Sequence, residues 1–142
     1  MKRHEEVTVL LVEDDEVDQQ AFRRALDELK INNPLINAKD GLEGLAVLRK
    51  NNGAKVKKPF LVVLDLNMPR MNGFEFLDEI RADEELQDAV IFVLTTSDDD
   101  KDVMKAYRPH VAGYVVKGDL AGSFKQAVQL LDFYWRLVVF PV

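Results

Sequence analysis

The sequence contains no cysteine among its 142 residues, and only two histidines. The absence of cysteine excludes disulfides, a thiol nucleophile and a thiolate metal site. It is compatible with a reducing cytoplasm, which is the location we expect. No apolar stretch approaches the roughly 20 residues that a membrane-spanning helix needs, so we expect no membrane segment.

Basic residues are in the minority. The sequence has 19 lysines and arginines against 25 aspartates and glutamates, which gives a net charge of −6 and a pI of about 4.9. An acidic surface repels the phosphate backbone, so we expect no nucleic-acid partner. The length corresponds to about one domain, and 47% hydrophobic residues are ordinary for a globular protein.

Short apolar runs alternate with amphipathic patterns along the chain. Apolar runs bounded by turn residues predict strands that are buried on both faces. The predicted strands cover residues 7–12, 35–38, 60–64, 90–94 and 112–116. Each is followed by apolar residues at helical spacing, so we predict five helices, of which the fourth covers residues 98–107.

This alternation predicts an α/β fold, in which helices cover both faces of a five-stranded parallel sheet. Right-handed crossovers favour the flavodoxin-like strand order 2-1-3-4-5. In that order, polar residues end four neighbouring strands at the sheet edge where ligands bind in open α/β folds. These residues are Glu13 and Asp14, Asp65, Thr95 and Lys117.

Carboxylates brought together at one sheet edge repel one another, and a hard divalent cation such as Mg²⁺ relieves that repulsion. Beside such a cation, Asp65 can attack phosphorus and form an acyl phosphate. Lys117 can pair with a phosphoryl oxygen, and the Thr95 hydroxyl can donate a hydrogen bond to another.

Four motifs resemble those of the receiver domain of bacterial two-component response regulators. They are LLVEDD (10–15), VVLDLNMPRMNG (62–73), VLTTS (93–97) and GYVVK (113–117). The resemblance implies that Asp65 is the phosphoacceptor and Lys117 the phosphate-sensing lysine. It also implies a switch pair, Thr95 and Tyr114. The implied Mg²⁺ ligands are Glu13, Asp14, Asp65 and the backbone carbonyl of Asn67. One departure is Gly118, where the family usually has proline.

The resemblance implies a single receiver domain over residues 1–142, with a core at about 7–133 and an apolar extension at 134–142. Few residues follow the last predicted helix, so we expect a stand-alone regulator that receives its phosphoryl group from a histidine kinase. Its output would be altered protein binding or a phosphorelay. We expect no enzymatic activity beyond its own phosphorylation and dephosphorylation.

The C-terminal segment, LLDFYWRLVVFPV (130–142), holds more apolar residues than one helix face can bury. Such a surplus usually marks a partner surface, so we expect a homodimer through the last helix and the tail. The alternative is a tail that folds back on its own domain. The tail also resembles the FW…P ending of single-domain regulators paired with bacterial phytochrome kinases, which suggests a bacteriophytochrome as one candidate for the kinase.

Two other functions use similar residues. A small phosphatase of the haloacid dehalogenase type also forms an aspartyl phosphate, but it needs a second acid where this chain has Asn67. A receiver-like interaction module that never takes phosphate would not need Asp65, Thr95 and Lys117 together. Taken alone, each polar residue of the predicted site also fits an ordinary structural role. The acids at 13–15, for example, are suited to cap the first helix.

Overall fold

The computed structural model describes residues 7–49, 59–66, 71–95, 111–116 and 124–137. Within these ranges lie five strands and four helices. In chain order they are β1 (Thr8–Val12), α1 (Glu16–Glu28), β2 (Leu35–Ala38), α2 (Gly41–Leu48), β3 (Phe60–Asp65), α3 (Gly73–Ala82), β4 (Val90–Thr95), β5 (Gly113–Val116) and α4 (Phe124–Leu137). The predicted helix at residues 98–107 lies outside the described residues.

The strands form one parallel sheet in the order β2-β1-β3-β4-β5, which is the order predicted from the sequence. β1 and β3 are internal strands, and every residue in both is buried. This is why their sequences, TVLLV and FLVVLD, read as nearly continuous apolar runs.

Alternate residues of each strand point to opposite faces of the sheet, so the core divides into two layers. Val9 and Leu11 of β1 belong to the layer that packs against α1 and α4. Leu10 and Val12 belong to the layer that packs against α2 and α3. None of the helices within the described ranges is long and apolar enough to cross a membrane.

Helix α4 continues to Leu137, past the predicted end of the core at residue 133. Trp135 is 1% exposed and belongs to the same core layer as α1. The Tyr134 ring packs edge-on against Phe92 of β4, with ring centroids 4.7 Å apart. Part of the apolar C-terminal segment therefore packs against its own domain, as the fold-back alternative requires.

The opposite side of α4 leaves large apolar side chains in solvent. Leu130 is 50% exposed, Phe133 is 68% exposed and Leu137 is 79% exposed. Their spacing places them along one side of the helix. Residues 138–142 of the predicted extension lie outside the described residues.

Candidate functional site

The acidic run at the end of β1 has three members in three different environments. The Glu13 side chain is buried at 1% exposure, whereas Asp14 and Asp15 are exposed. Asp15 is the N-cap of α1, and its Oδ1 accepts hydrogen bonds from the backbone N–H groups of Val17 at 2.8 Å and Asp18 at 3.4 Å. The capping role suggested for this run therefore belongs to Asp15.

Glu13 is held in place by backbone and side-chain hydrogen bonds. Its backbone N–H donates to the Ala38 carbonyl at 2.9 Å, which extends the pairing of β1 with β2 by one residue. Its Oε2 accepts from the Asp15 backbone N–H at 3.2 Å. Its carbonyl accepts from Gln19 Nε2 at 2.6 Å. These contacts fix the residue at the carboxyl end of β1.

Asp65 is the last residue of β3 and is 7% exposed. The pairing of Val12 with Leu64 brings the ends of β1 and β3 side by side. After Leu66 the chain returns to start α3, and the Gly73 N–H donates to the Leu66 carbonyl at 3.0 Å. Asn72 begins α3 with a reciprocal capping box, formed with Glu75.

The structure brings three of the predicted site residues together. Carboxylate oxygens of Glu13, Asp14 and Asp65 all lie within 4.8 Å of one another. The set offers oxygen donors alone, one of them from an exposed residue. Hard divalent cations that keep part of their water shell prefer such sites. The geometry therefore suits an ion of the Mg²⁺ or Mn²⁺ type.

The strand register also gives the backbone positions of two further predicted site residues, Thr95 and Tyr114. Asp65 pairs with Leu94 of β4, and Thr95 is the residue that follows Leu94 in that strand. Thr95 pairs in turn with Val116, the last residue of β5, and Tyr114 pairs with Val93. Lys117 follows Val116 directly, but it lies outside the described residues, as does Asn67.

The family model for the response regulator receiver domain matches residues 9–129. The chain belongs to this family. The match runs from β1 into α4 and includes all three clustered carboxylates. Receiver domains are signalling modules of two-component systems that are phosphorylated on an aspartate and have histidine kinases as partners.

Response regulator Rcp1 from Synechocystis is similar to this receiver domain over almost the whole chain. The two are 34% identical over 135 residues, which are 94% of this chain and 92% of Rcp1. The crystal structure of the Mn²⁺-bound form of Rcp1 superposes with a TM-score of 0.81 at 31% identity, and the match covers 96% of this chain and 99% of that one.

Two other relatives place the domain among regulators. The phosphorylated cyanobacterial phytochrome response regulator RcpA has a TM-score of 0.82 at 29% identity, with 96% of this chain and 99% of that chain covered. The probable methanogenesis regulatory protein FilR2 from Methanothrix harundinacea is 34% identical over 127 residues, 89% of this chain and 82% of its own. The phosphatase alternative gains no support from these relatives.

We expect Mg²⁺ to stabilise the folded protein through the carboxylate cluster. A ligand that binds only the folded state at ten times its Kd adds about 1.4 kcal/mol to the free energy of unfolding. Urea unfolding with Mg²⁺ or with EDTA measures this difference, which Asp14→Asn should abolish.

Asp15→Asn is the matched control, because it removes the same charge one residue away and asparagine still caps α1. This variant should keep the full Mg²⁺ effect. Equal Mg²⁺ stabilisation in Asp14→Asn and the wild type would contradict the assignment of the cluster as the cation site.

Proposed function

We propose that the protein accepts a phosphoryl group from a histidine kinase on the carboxylate of Asp65, with Mg²⁺ held beside it, and signals by altered protein binding or by phosphorelay. The observation that carries the proposal is the gathering of Glu13, Asp14 and Asp65 within 4.8 Å at one end of the parallel sheet. The family match and the Mn²⁺-bound form of Rcp1 support the same function.

Four groups would hold the cation: the carboxylates of Glu13, Asp14 and Asp65, and the backbone carbonyl of Asn67. Bound there, Mg²⁺ would stabilise the negative charge on the oxygens of the transferring phosphoryl group. Glu13 is suited to a fixed role because it is buried and hydrogen-bonded, while Asp14 is exposed and therefore accessible to an ion from solvent.

Asp65 acts as the nucleophile. One of its carboxylate oxygens forms a bond to phosphorus, and the bond from phosphorus to the histidine nitrogen of the kinase breaks. The electron pair of that bond stays on the imidazole, and an acyl phosphate remains on Asp65. The protein promotes its own phosphorylation and dephosphorylation and turns over no other substrate.

Lys117 pairs with a phosphoryl oxygen, and the Thr95 hydroxyl donates a hydrogen bond to another. Thr95 and Tyr114 form the switch pair, so movement of Thr95 toward the phosphoryl group lets Tyr114 repack. Support comes from the register, in which Thr95 pairs with Val116 directly before Lys117. This change alters the surface formed by the helix predicted at residues 98–107, β5 and α4, to which a partner protein binds.

We further propose one receiver domain over residues 1–142, in which the helix predicted at residues 98–107 connects β4 and β5 and brings the number of helices to five. Its stand-alone character is supported by Rcp1, which this chain matches over nearly the full length of both. The cytoplasmic location stays a prediction.

RcpA is a phytochrome response regulator, and because this chain resembles it we propose a phytochrome kinase as the phosphodonor.

Incubation with Mg²⁺ and acetyl phosphate, followed by mass spectrometry of the intact protein, tests the phosphoacceptor. We expect one added phosphoryl group in the wild type and in Asp15→Asn, and none in Asp65→Asn. EDTA should prevent the addition. Continuous turnover of unrelated phosphoesters would instead indicate a phosphatase, and no adduct in the wild type would leave a phosphate-independent module.

We also propose that the protein forms a homodimer through α4 and the tail, with an affinity that phosphorylation changes. Leu130, Phe133 and Leu137 support this because they form an exposed apolar stripe on the face opposite the core. A second copy presents the same stripe, so two helices can bury each other's apolar residues.

Sedimentation equilibrium of Phe133→Ser tests the dimer. Loss of a central aromatic anchor typically costs about 2 kcal/mol or more, so we expect the dimer Kd to rise roughly thirtyfold. Lys125→Ser is the control and should dimerise normally, because the exposed Lys125 ammonium lies 3.4 Å from Glu28 of α1 and its loss removes only a surface ion pair. Truncation after Asp132 is less suitable because it removes the buried Trp135. Unchanged dimerisation of Phe133→Ser would contradict the proposed interface.

A further inference from the structure

Gln19 of α1 contacts the peptide group that joins two residues of the carboxylate cluster. Its Nε2 donates to the Glu13 carbonyl at 2.6 Å. That carbonyl belongs to the planar peptide unit between Glu13 and Asp14, so the hydrogen bond restrains the backbone angles on both sides of the unit. Those angles set the directions in which the Glu13 and Asp14 side chains leave the main chain.

The backbone of Gln19 is fixed by the helix itself. Its N–H donates to the carbonyl of Asp15, the N-cap, at 2.9 Å, which begins the hydrogen bonding of α1. Side chains of a helix lean toward its N-terminus, so residue 19 can reach back over the first turn to the end of β1. The Gln19 side chain is partly buried in this position. The helix therefore holds a hydrogen-bond donor against the end of the strand.

The contacts that hold Glu13 differ in what a substitution can change. Its N–H donates to the Ala38 carbonyl and its Oε2 accepts from the Asp15 N–H, and both of these partners are backbone groups. The amide of Gln19, in contrast, is a side chain. Glu13 is 1% exposed, so little water can reach its carbonyl to replace that amide. Loss of the amide would therefore release the peptide unit between Glu13 and Asp14.

We propose that Gln19 is a positioning residue for the cation site and makes the site favour Mg²⁺ over larger divalent cations such as Ca²⁺. The inference rests on the proposed function, in which the carboxylates of Glu13, Asp14 and Asp65 hold the ion. Mg²⁺ requires nearly octahedral geometry at about 2.0–2.1 Å, whereas Ca²⁺ accepts flexible geometry at about 2.3–2.6 Å. A restrained peptide unit keeps two carboxylates in place beside Asp65, which benefits the smaller and more demanding ion.

Gln19→Met tests the proposal, because methionine keeps the length of the side chain but has no N–H to donate. We expect the Kd for Mg²⁺, measured by isothermal titration calorimetry on the unphosphorylated full chain, to rise roughly tenfold, as for other groups that orient metal ligands. The Kd for Ca²⁺ should rise less than roughly twofold, because Ca²⁺ tolerates displaced ligands. Phosphorylation by acetyl phosphate should reach the wild-type extent at saturating Mg²⁺, with its half-maximal Mg²⁺ concentration raised.

Gln20→Met is the matched control, because it makes the same change at the next residue of α1, where the side chain is exposed. It should leave both Kd values at the wild-type level. Equal Mg²⁺ affinity in Gln19→Met and Gln20→Met would overturn the proposal. An equal loss of affinity for Mg²⁺ and Ca²⁺ in Gln19→Met would also overturn it, because a general weakening of the site does not discriminate between the ions.

Gln19→Ala decides the question if the methionine variant does not fold, because alanine favours helix most strongly and also lacks the donor. It should lower Mg²⁺ affinity more than Ca²⁺ affinity, and a wild-type ratio of the two Kd values would contradict the proposal. Failure of the proposed function gives a different result, because the wild type itself would then show no phosphoryl adduct that depends on Asp65, whatever its Kd values.

Discussion

The repulsion among three carboxylates at one edge of the sheet is the constraint on which the site depends. Glu13 and Asp65 are both buried, and their oxygens lie within 4.8 Å of each other. When both are ionised at an effective dielectric constant of about 20, the repulsion of this pair is on the order of 3 kcal/mol. A divalent cation between them would replace this repulsion with attraction, so the cation site and the proposed phosphoacceptor share Asp65.

The fold keeps these charges together in spite of their repulsion. β1 and β3 are adjacent, internal and fully buried, so neither strand end can move away without disrupting the core. The run Glu13, Asp14, Asp15 divides three tasks among adjacent residues: one carboxylate is locked inside, one is exposed beside it, and one caps α1. Strand alternation and the start of a helix produce this division.

Much of this arrangement follows from the sequence because it depends on local patterns. Apolar runs and turn residues predict the strands and their order, and the strand order alone predicts that Glu13, Asp14 and Asp65 meet at one edge. The separate capping role of Asp15 could be suggested but not assigned, because three consecutive acids are all plausible N-caps.

Other features depend on tertiary contact and leave little trace in the sequence. Trp135 and Leu137 lie two positions apart, so helical geometry places them on opposite sides of α4, but which of these sides meets the core is decided by tertiary packing. The approach of Gly41 to Met71 joins elements 30 positions apart. In the sequence, Gly41 is simply a turn residue after Asp40, with no sign of what it meets.

The most direct measurement is a crystal structure grown with Mn²⁺ and beryllium trifluoride, a phosphoryl mimic, with anomalous scattering used to locate the metal. We predict an anomalous peak at roughly 2 Å from carboxylate oxygens of Glu13, Asp14 and Asp65, with the beryllium bonded to Asp65. A metal peak elsewhere, or beryllium bonded to a different side chain, would contradict it.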